Sequence, residues 1–170
     1  MRKLGSIVHK IDALSEWSGR VLFLLICVMI GTIMFEVVSR YIFNRPTMWS
    51  LDASTMTYGT YMIGAGAYAL LYGAHIKMDL FYARWSKRTK AIVDACTFPL
   101  FLLFCSILLW KSGIYGWQSC MRLEHAMTAW SPPLYPWKMT VPVAVLLILL
   151  QGVSKFIRDL TFAVSGEELK

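Results

Sequence analysis

Glu36 and Arg40 stand one helical turn apart near the end of a long apolar stretch. A carboxylate and a guanidinium at that spacing can pair on one helix face. An ionisable residue inside a membrane-crossing segment is a candidate for a proton or ion relay. A relay needs several such groups at depth, and the other apolar stretches carry none near their middle. The favoured reading is therefore an ion pair that also ties this helix to a neighbour.

The histidines and cysteines are the other residues with chemical potential. His9, His75 and His125 could be haem ligands, but bis-histidine ligation needs two imidazoles facing each other from segments at one depth. All three fall outside the apolar stretches. His75 and Asp79 are four apart and suit a shared hydrogen bond that fixes a connection. Cys27, Cys96, Cys105 and Cys120 form no CxxC pair and no metal-ligand spacing, so neither a disulfide framework nor a zinc site is expected. Only Cys120 falls in an outer connection, whereas a quinone-linked disulfide oxidase needs cysteine pairs there. No Walker motif, nucleophile elbow or dinucleotide fingerprint occurs, and GAGA at 64–67 reads as a packing sequence. No catalytic residue, metal site or cofactor of its own is expected.

The elements that must position these residues follow from composition. Of 170 residues, 57% are hydrophobic and 16% charged, well below the quarter or so of charged residues usual in soluble domains. The apolar excess falls into four blocks, each near the ~20 residues that cross a bilayer as a helix. The expectation is one all-α membrane domain over 1–170. Its spans cover about 21–40, 54–73, 92–112 and 139–158. Residues 3–18 repeat Leu and Ile at helical spacing and read as an interfacial amphipathic helix rather than a cleavable signal. A second interfacial helix is expected over 76–90. Ala65, Ala69 and Gly73 recur every fourth residue beside Gly66, a stripe that lets another helix approach closely.

The net charge of +7 sits mainly between the apolar blocks. It reads as topology and attraction to anionic phospholipid, with no nucleic-acid partner. Lys and Arg are concentrated in the N-terminal segment, the stretch between the second and third spans, and the C-terminal tail. These are expected in the cytoplasm, with 41–53 and 111–138 on the outer side. WSPPLYPWK at 130–138 is rigid and aromatic. Its prolines pre-set the backbone, so it can serve as a stiff lead-in to the last span or as a docking surface.

MFEVVSRYIFNRPTMWSLD at 34–52, GAGAYALLYGAHIKMDLFY at 64–82 and SPPLYPWKMTVPVAVLLILLQG at 131–152 resemble the small permease (Q) subunit of tripartite ATP-independent periplasmic (TRAP) transporters. The resemblance runs from about Val21 to Gly152. It matches the family's Glu and Arg with Glu36 and Arg40, and its aromatic–Asn–Pro and Trp with Phe43, Asn44, Pro46 and Trp49. Gly73, His75 and Asp79 match its Gly–x–His and Asp. Pro132, Pro133 and Pro136 match its proline-rich lead-in. Asp52 stands where the family commonly has a Glu, and its reach is shorter. The resemblance implies a scaffold beside a large membrane subunit that carries the sodium and substrate sites. It also implies a periplasmic substrate-binding protein, usually for organic acids, and transport driven by an ion gradient. Glu36, Arg40, Ala65, Ala69, Gly73, His75 and Asp79 are expected to be structural or to face the large subunit. Arg45, Trp49, Asp52, Arg122, Pro132, Pro133 and Tyr135 are expected at the receptor-facing surface. The competing expectation is a membrane anchor of a respiratory redox enzyme.

Overall fold

A computed structural model describes residues 2–72 and 87–165. Four helices account for most of them: α1 (Arg2–Tyr41), α2 (Ser50–Leu71), α3 (Lys87–Met121) and α4 (Tyr135–Ser165). No strand occurs among the described residues; the only extended pairing there is an isolated bridge between His125 and Pro133.

The helices alternate in direction. The end of α1 meets the start of α2 through Glu36 and Thr47, and the start of α1 meets the end of α4 through Asp12 and Arg158. α2 lies between α1 and α4. α3 packs chiefly on α4, and α1 touches α4 over a shorter stretch. α3 therefore sits at the flank with most of its circumference uncovered.

By length and composition α1 (Val8–Tyr41), α3 (Ile92–Met121) and α4 (Tyr135–Thr161) are able to cross a membrane. These hold the first, third and fourth expected spans. α2 holds the second, but Ser, Thr, Tyr and Gly dilute its apolar character. Its hydroxyls are satisfied within the helix: Ser54 donates to Ser50 O (2.7 Å), Thr55 to Leu51 O (2.8 Å), Thr57 to Ala53 O (2.7 Å) and Thr60 to Met56 O (3.1 Å). Bonding back to the preceding turn removes much of the cost of placing a hydroxyl in an apolar setting.

The expected break between an interfacial helix over 3–18 and a span over 21–40 is not there. α1 is one helix of 40 residues, about 60 Å long at 1.5 Å per residue and roughly twice the hydrocarbon thickness. At Gly19, the expected junction, the helix continues and the Tyr68 ring lies where a Cβ would collide. The expected interfacial helix over 76–90 lies mostly outside the described residues, and its last four positions form the start of α3.

Glycine notches receive large side chains throughout the bundle. A Cβ on Gly64 would come within 2.9 Å of Leu22, one on Gly66 within 2.8 Å of Ile148, and one on Gly116 within 2.7 Å of Met139; Gly152 lies against the Phe101 ring. Such notches let helices approach closely where no water-driven force holds them together in lipid. Ala67, Val145 and Cys105 complete the small buried core. The outward faces of α1 and α3 remain apolar, with Phe23, Leu24 and Val28 exposed on α1 and Leu100, Leu103 and Phe104 on α3.

Candidate functional site

The polar side chains gather at the two ends of the bundle. At one end Asp12 of α1 meets α4. Its Oδ1 accepts from Gln151 Nε2 (3.0 Å) and Ser154 Oγ (3.1 Å), while Oδ2 pairs with Arg158. Ser15 Oγ donates to Gln151 Oε1 (2.7 Å), and Ser18 Oγ to Ser15 O (2.8 Å). Ser15, Gln151 and Ser154 are fully buried. A buried amide or hydroxyl without a partner is costly, and here each supplies the other's partner. Beside this node Lys155 pairs with Asp94 of α3 and, at 3.3 Å, with Asp159. Phe98 stacks on Phe156 with centroids 4.0 Å apart.

Nothing in the sequence alone brings Asp12, Ser15, Ser154 and Arg158 together. Two signals were present. Gln151, among Leu and Val, needed a partner. Gln151, Ser154 and Arg158 also share one helix face, as do Asp12 and Ser15.

At the opposite end the Glu36 carboxylate organises the first connection. Arg40 donates to Oε1 through Nε (2.9 Å) and Nη2 (2.6 Å). The Thr47 backbone N–H (3.1 Å) and hydroxyl both reach Oε2. Asn44 adopts φ 53°, a left-handed conformation that asparagine tolerates well. It lets the chain turn back so that Arg45 N–H reaches Ser39 O (2.9 Å).

The second of the two outer connections, 122–134 between α3 and α4, folds into a compact loop. Leu123, at φ 47°, ends α3 with Glu124 N–H on Ser119 O (3.1 Å), a left-handed helix stop more often made by glycine. Ala126 N–H then donates to Pro132 O (2.9 Å) and Leu134 N–H to Glu124 O (2.8 Å). Lys138 Nζ donates to Glu124 Oε2 (2.6 Å). The two connections meet: Thr128 Oγ1 donates to Asp52 Oδ2 (2.6 Å), and Trp49 lies between Phe35 (5.8 Å) and Trp130 (6.4 Å).

The expected receptor-facing residues therefore share one end. Arg45, Trp49, Arg122 and Pro133 are exposed, Asp52 and Tyr135 are half-buried, and Pro132 is buried. Of the expected interface set, Glu36 and Arg40 pair with each other at this same end. Ala65 is half-buried in a groove of about 340 Å³ along the α1–α2 seam, and Ala69 is half-buried. The tight approaches fall one position aside, on Gly64 and Gly66, and Ala67 is fully buried. Gly73, His75 and Asp79 lie outside the described residues.

Lys138, through its hydrogen bond, holds the Glu124 carboxyl below the usual carboxylate range. A carboxyl depressed on folding adds stability above its unfolded pKa and loses it as pH falls through the folded one. Glu124→Gln is expected to lower the unfolding temperature at neutral pH. The gap to the wild type should close on acidification below the usual carboxylate range. Unfolding curves across acidic and neutral pH check this, and a gap that stays constant would count against it.

Among the described residues no group of His, Cys, Asp and Glu is arranged to hold a metal ion. His9 and His125 belong to opposite ends of the bundle. The residues found instead are suited to fixing helices and presenting a surface, not to bond-making chemistry.

Residues 29–162 match the family described as "Tripartite ATP-independent periplasmic transporters, DctQ component". No curated protein and no solved structure matches the chain. The matched region takes in the greater part of the chain, including the first-connection clasp, the second connection and most of α4. The chain belongs to the DctQ family: it is a TRAP transporter small permease subunit, a non-enzymatic multi-pass protein of the inner membrane.

Proposed function

We propose that the chain is the non-catalytic scaffold subunit of a sodium-coupled, receptor-dependent TRAP transporter for organic acids. It crosses the membrane four times, with both termini in the cytoplasm. It pairs with the large membrane subunit, where the sodium ions bind, and helps receive the periplasmic substrate-binding protein. Family membership supports the pairing in general terms, since DctQ proteins work with a large subunit and a substrate-binding protein.

One observation carries the scaffold role: among the described residues no polar path crosses the bundle. Its charged pairs lie at the two ends, and the polar groups of the Asp12 node are bonded to one another. Conduction of an anion requires polar groups lining the way. The uncovered apolar faces of α1 and α3 suit contact with further helices and with phospholipid. α2 is read as a fourth crossing because its hydroxyls bond within the helix and it packs between two apolar helices. The distribution of Lys and Arg supports the orientation.

Co-expression with the large subunit tests the pairing: the two should co-purify, and neither alone should support uptake. A purified small subunit that moves substrate in vesicles by itself would overturn the reading. At the outer end, Arg45→Ala and Arg122→Ala together are expected to weaken receptor-dependent uptake several-fold, mainly through slower capture of the receptor. Assembly with the large subunit should stay intact. Unchanged uptake kinetics would show that these cations are not used.

A further inference from the structure

We infer that the two outer connections form one preassembled platform for a soluble partner with a carboxylate-rich face, and that Thr128 and Trp130 hold the second connection in place on the first. This rests on the proposed outward orientation and docking role of that end.

Thr128 has three tasks in the structure. Its hydroxyl donates to Asp52 Oδ2 (2.6 Å), at the first turn of α2 and 76 residues away. The same oxygen lies 3.3 Å from the Ser131 N–H, and the Thr128 carbonyl accepts that N–H at 3.0 Å. Ser131 is thereby held at φ 51°, a strained conformation for a residue with a side chain. That turn aims Trp130 at Trp49. Trp49 in turn rests on Phe35, next to the Glu36 carboxylate that holds Thr47. The chain of contacts runs from α1 through the first connection and α2 to the second connection, then back into α4 through Glu124 and Lys138.

This arrangement also sets the outward charge. Glu36 is occupied by Arg40, Glu124 by Lys138, and Asp52 by Thr128. Arg45 and Arg122 are exposed and make no ion pair among the described residues. Arg40, Arg45, Arg122 and Lys138 outnumber Glu36, Asp52 and Glu124 at this end, which leaves the outer face cationic, and the fully exposed Met127 lies on the 122–134 loop. Opposite charge on a partner speeds its capture and fixes its orientation. A platform rigid before contact loses less entropy when the partner binds.

The test uses the small and large subunits together in vesicles, with uptake measured against the concentration of loaded receptor. Hydrogen exchange is read on the same complex without receptor. Thr128→Val is expected to speed exchange in both 42–49 and 122–134. It should raise the half-saturating receptor concentration roughly fivefold, the equilibrium factor of one hydrogen bond, with little change in rate at saturating receptor. Thr128→Ser keeps the hydroxyl and should restore both readouts, and added salt should raise half-saturation for the wild type. Faster exchange confined to 122–134 would overturn the single platform. Unchanged half-saturation in Thr128→Val, with Arg45→Ala and Arg122→Ala still impaired, would overturn the positioning role alone. Half-saturation unmoved by all three would overturn the docking reading itself.

Discussion

Arg158→Ala is expected to destabilise the isolated subunit by about 3 kcal/mol, near the lower end of the cost of breaking a buried ion pair from one side. The Asp12 carboxylate would keep Gln151 and Ser154 as donors but lose its cation in a setting where the neighbouring side chains are fully buried. Arg158 is itself partly exposed, which keeps the figure from the top of the range. Asp12→Ala should cost at least as much: the long Arg158 side chain can swing its charge toward water, but the buried Gln151 amide and Ser154 hydroxyl lose their acceptor. Replacing both by Ala should cost much less than the two single changes summed, since the stranded charge is then gone. Unfolding by SDS from mild-detergent micelles gives the free energies for the cycle. Strict additivity of the two changes would show that Asp12 and Arg158 do not act as a pair.

Gly152→Ala is the second large effect, at about 2 kcal/mol, within the usual cost of overpacking. Its new methyl group would enter the space of the Phe101 ring, where α3 crosses α4. A cavity of about 120 Å³ beside this contact, lined by Phe101, Phe98 and Leu70, gives the ring some room to yield. The full penalty of a rigid collision is therefore not expected. Displacing Phe101 also disturbs Phe98, whose ring centroid lies 6.1 Å away and which stacks on Phe156. Gly31→Ala and Gly113→Ala are the matched controls, because a Cβ there meets nothing within 4 Å. Each should be neutral or stabilise by up to about 1 kcal/mol through helix propensity. Thermal unfolding of the three variants separates the cases, and equal effects at all three positions would show that the Phe101 contact is not limiting.

These effects belong to a bundle whose parts are held at their ends. The Asp12 node and the Lys155 pairs fasten α1 and α3 to α4 at one end. The Glu36 clasp and the Thr128 bridge fasten the connections at the other. Between them the helices meet through glycine notches and leave apolar flanks free for other helices.

Much of this was legible before any coordinates. The apolar blocks identified the membrane class, because transfer from water to lipid adds up locally along the chain. Glu36 and Arg40 were legible as a pair because one helical turn brings them together whatever surrounds them. The motifs around Trp49 and the proline-rich lead-in carried the family. Continuity of α1 was not legible: the amphipathic pattern of 3–18 reads as a separate interfacial helix, and only Tyr68 lying across Gly19 shows how the junction is packed.

Membrane class, the approximate extent of the apolar segments and the family thus follow from the chain alone. Packing settles which polar residues meet: Asp12 with Arg158, Lys155 with Asp94, and Asp52 with Thr128. Their partners lie 146, 61 and 76 residues apart. Periodicity gives the face of a helix on which a residue lies. Whether two such faces meet depends on the rotation, depth and crossing of both helices, and those are set by the packing of Gly19, Gly64 and Gly152 against the rings and branched chains opposite them.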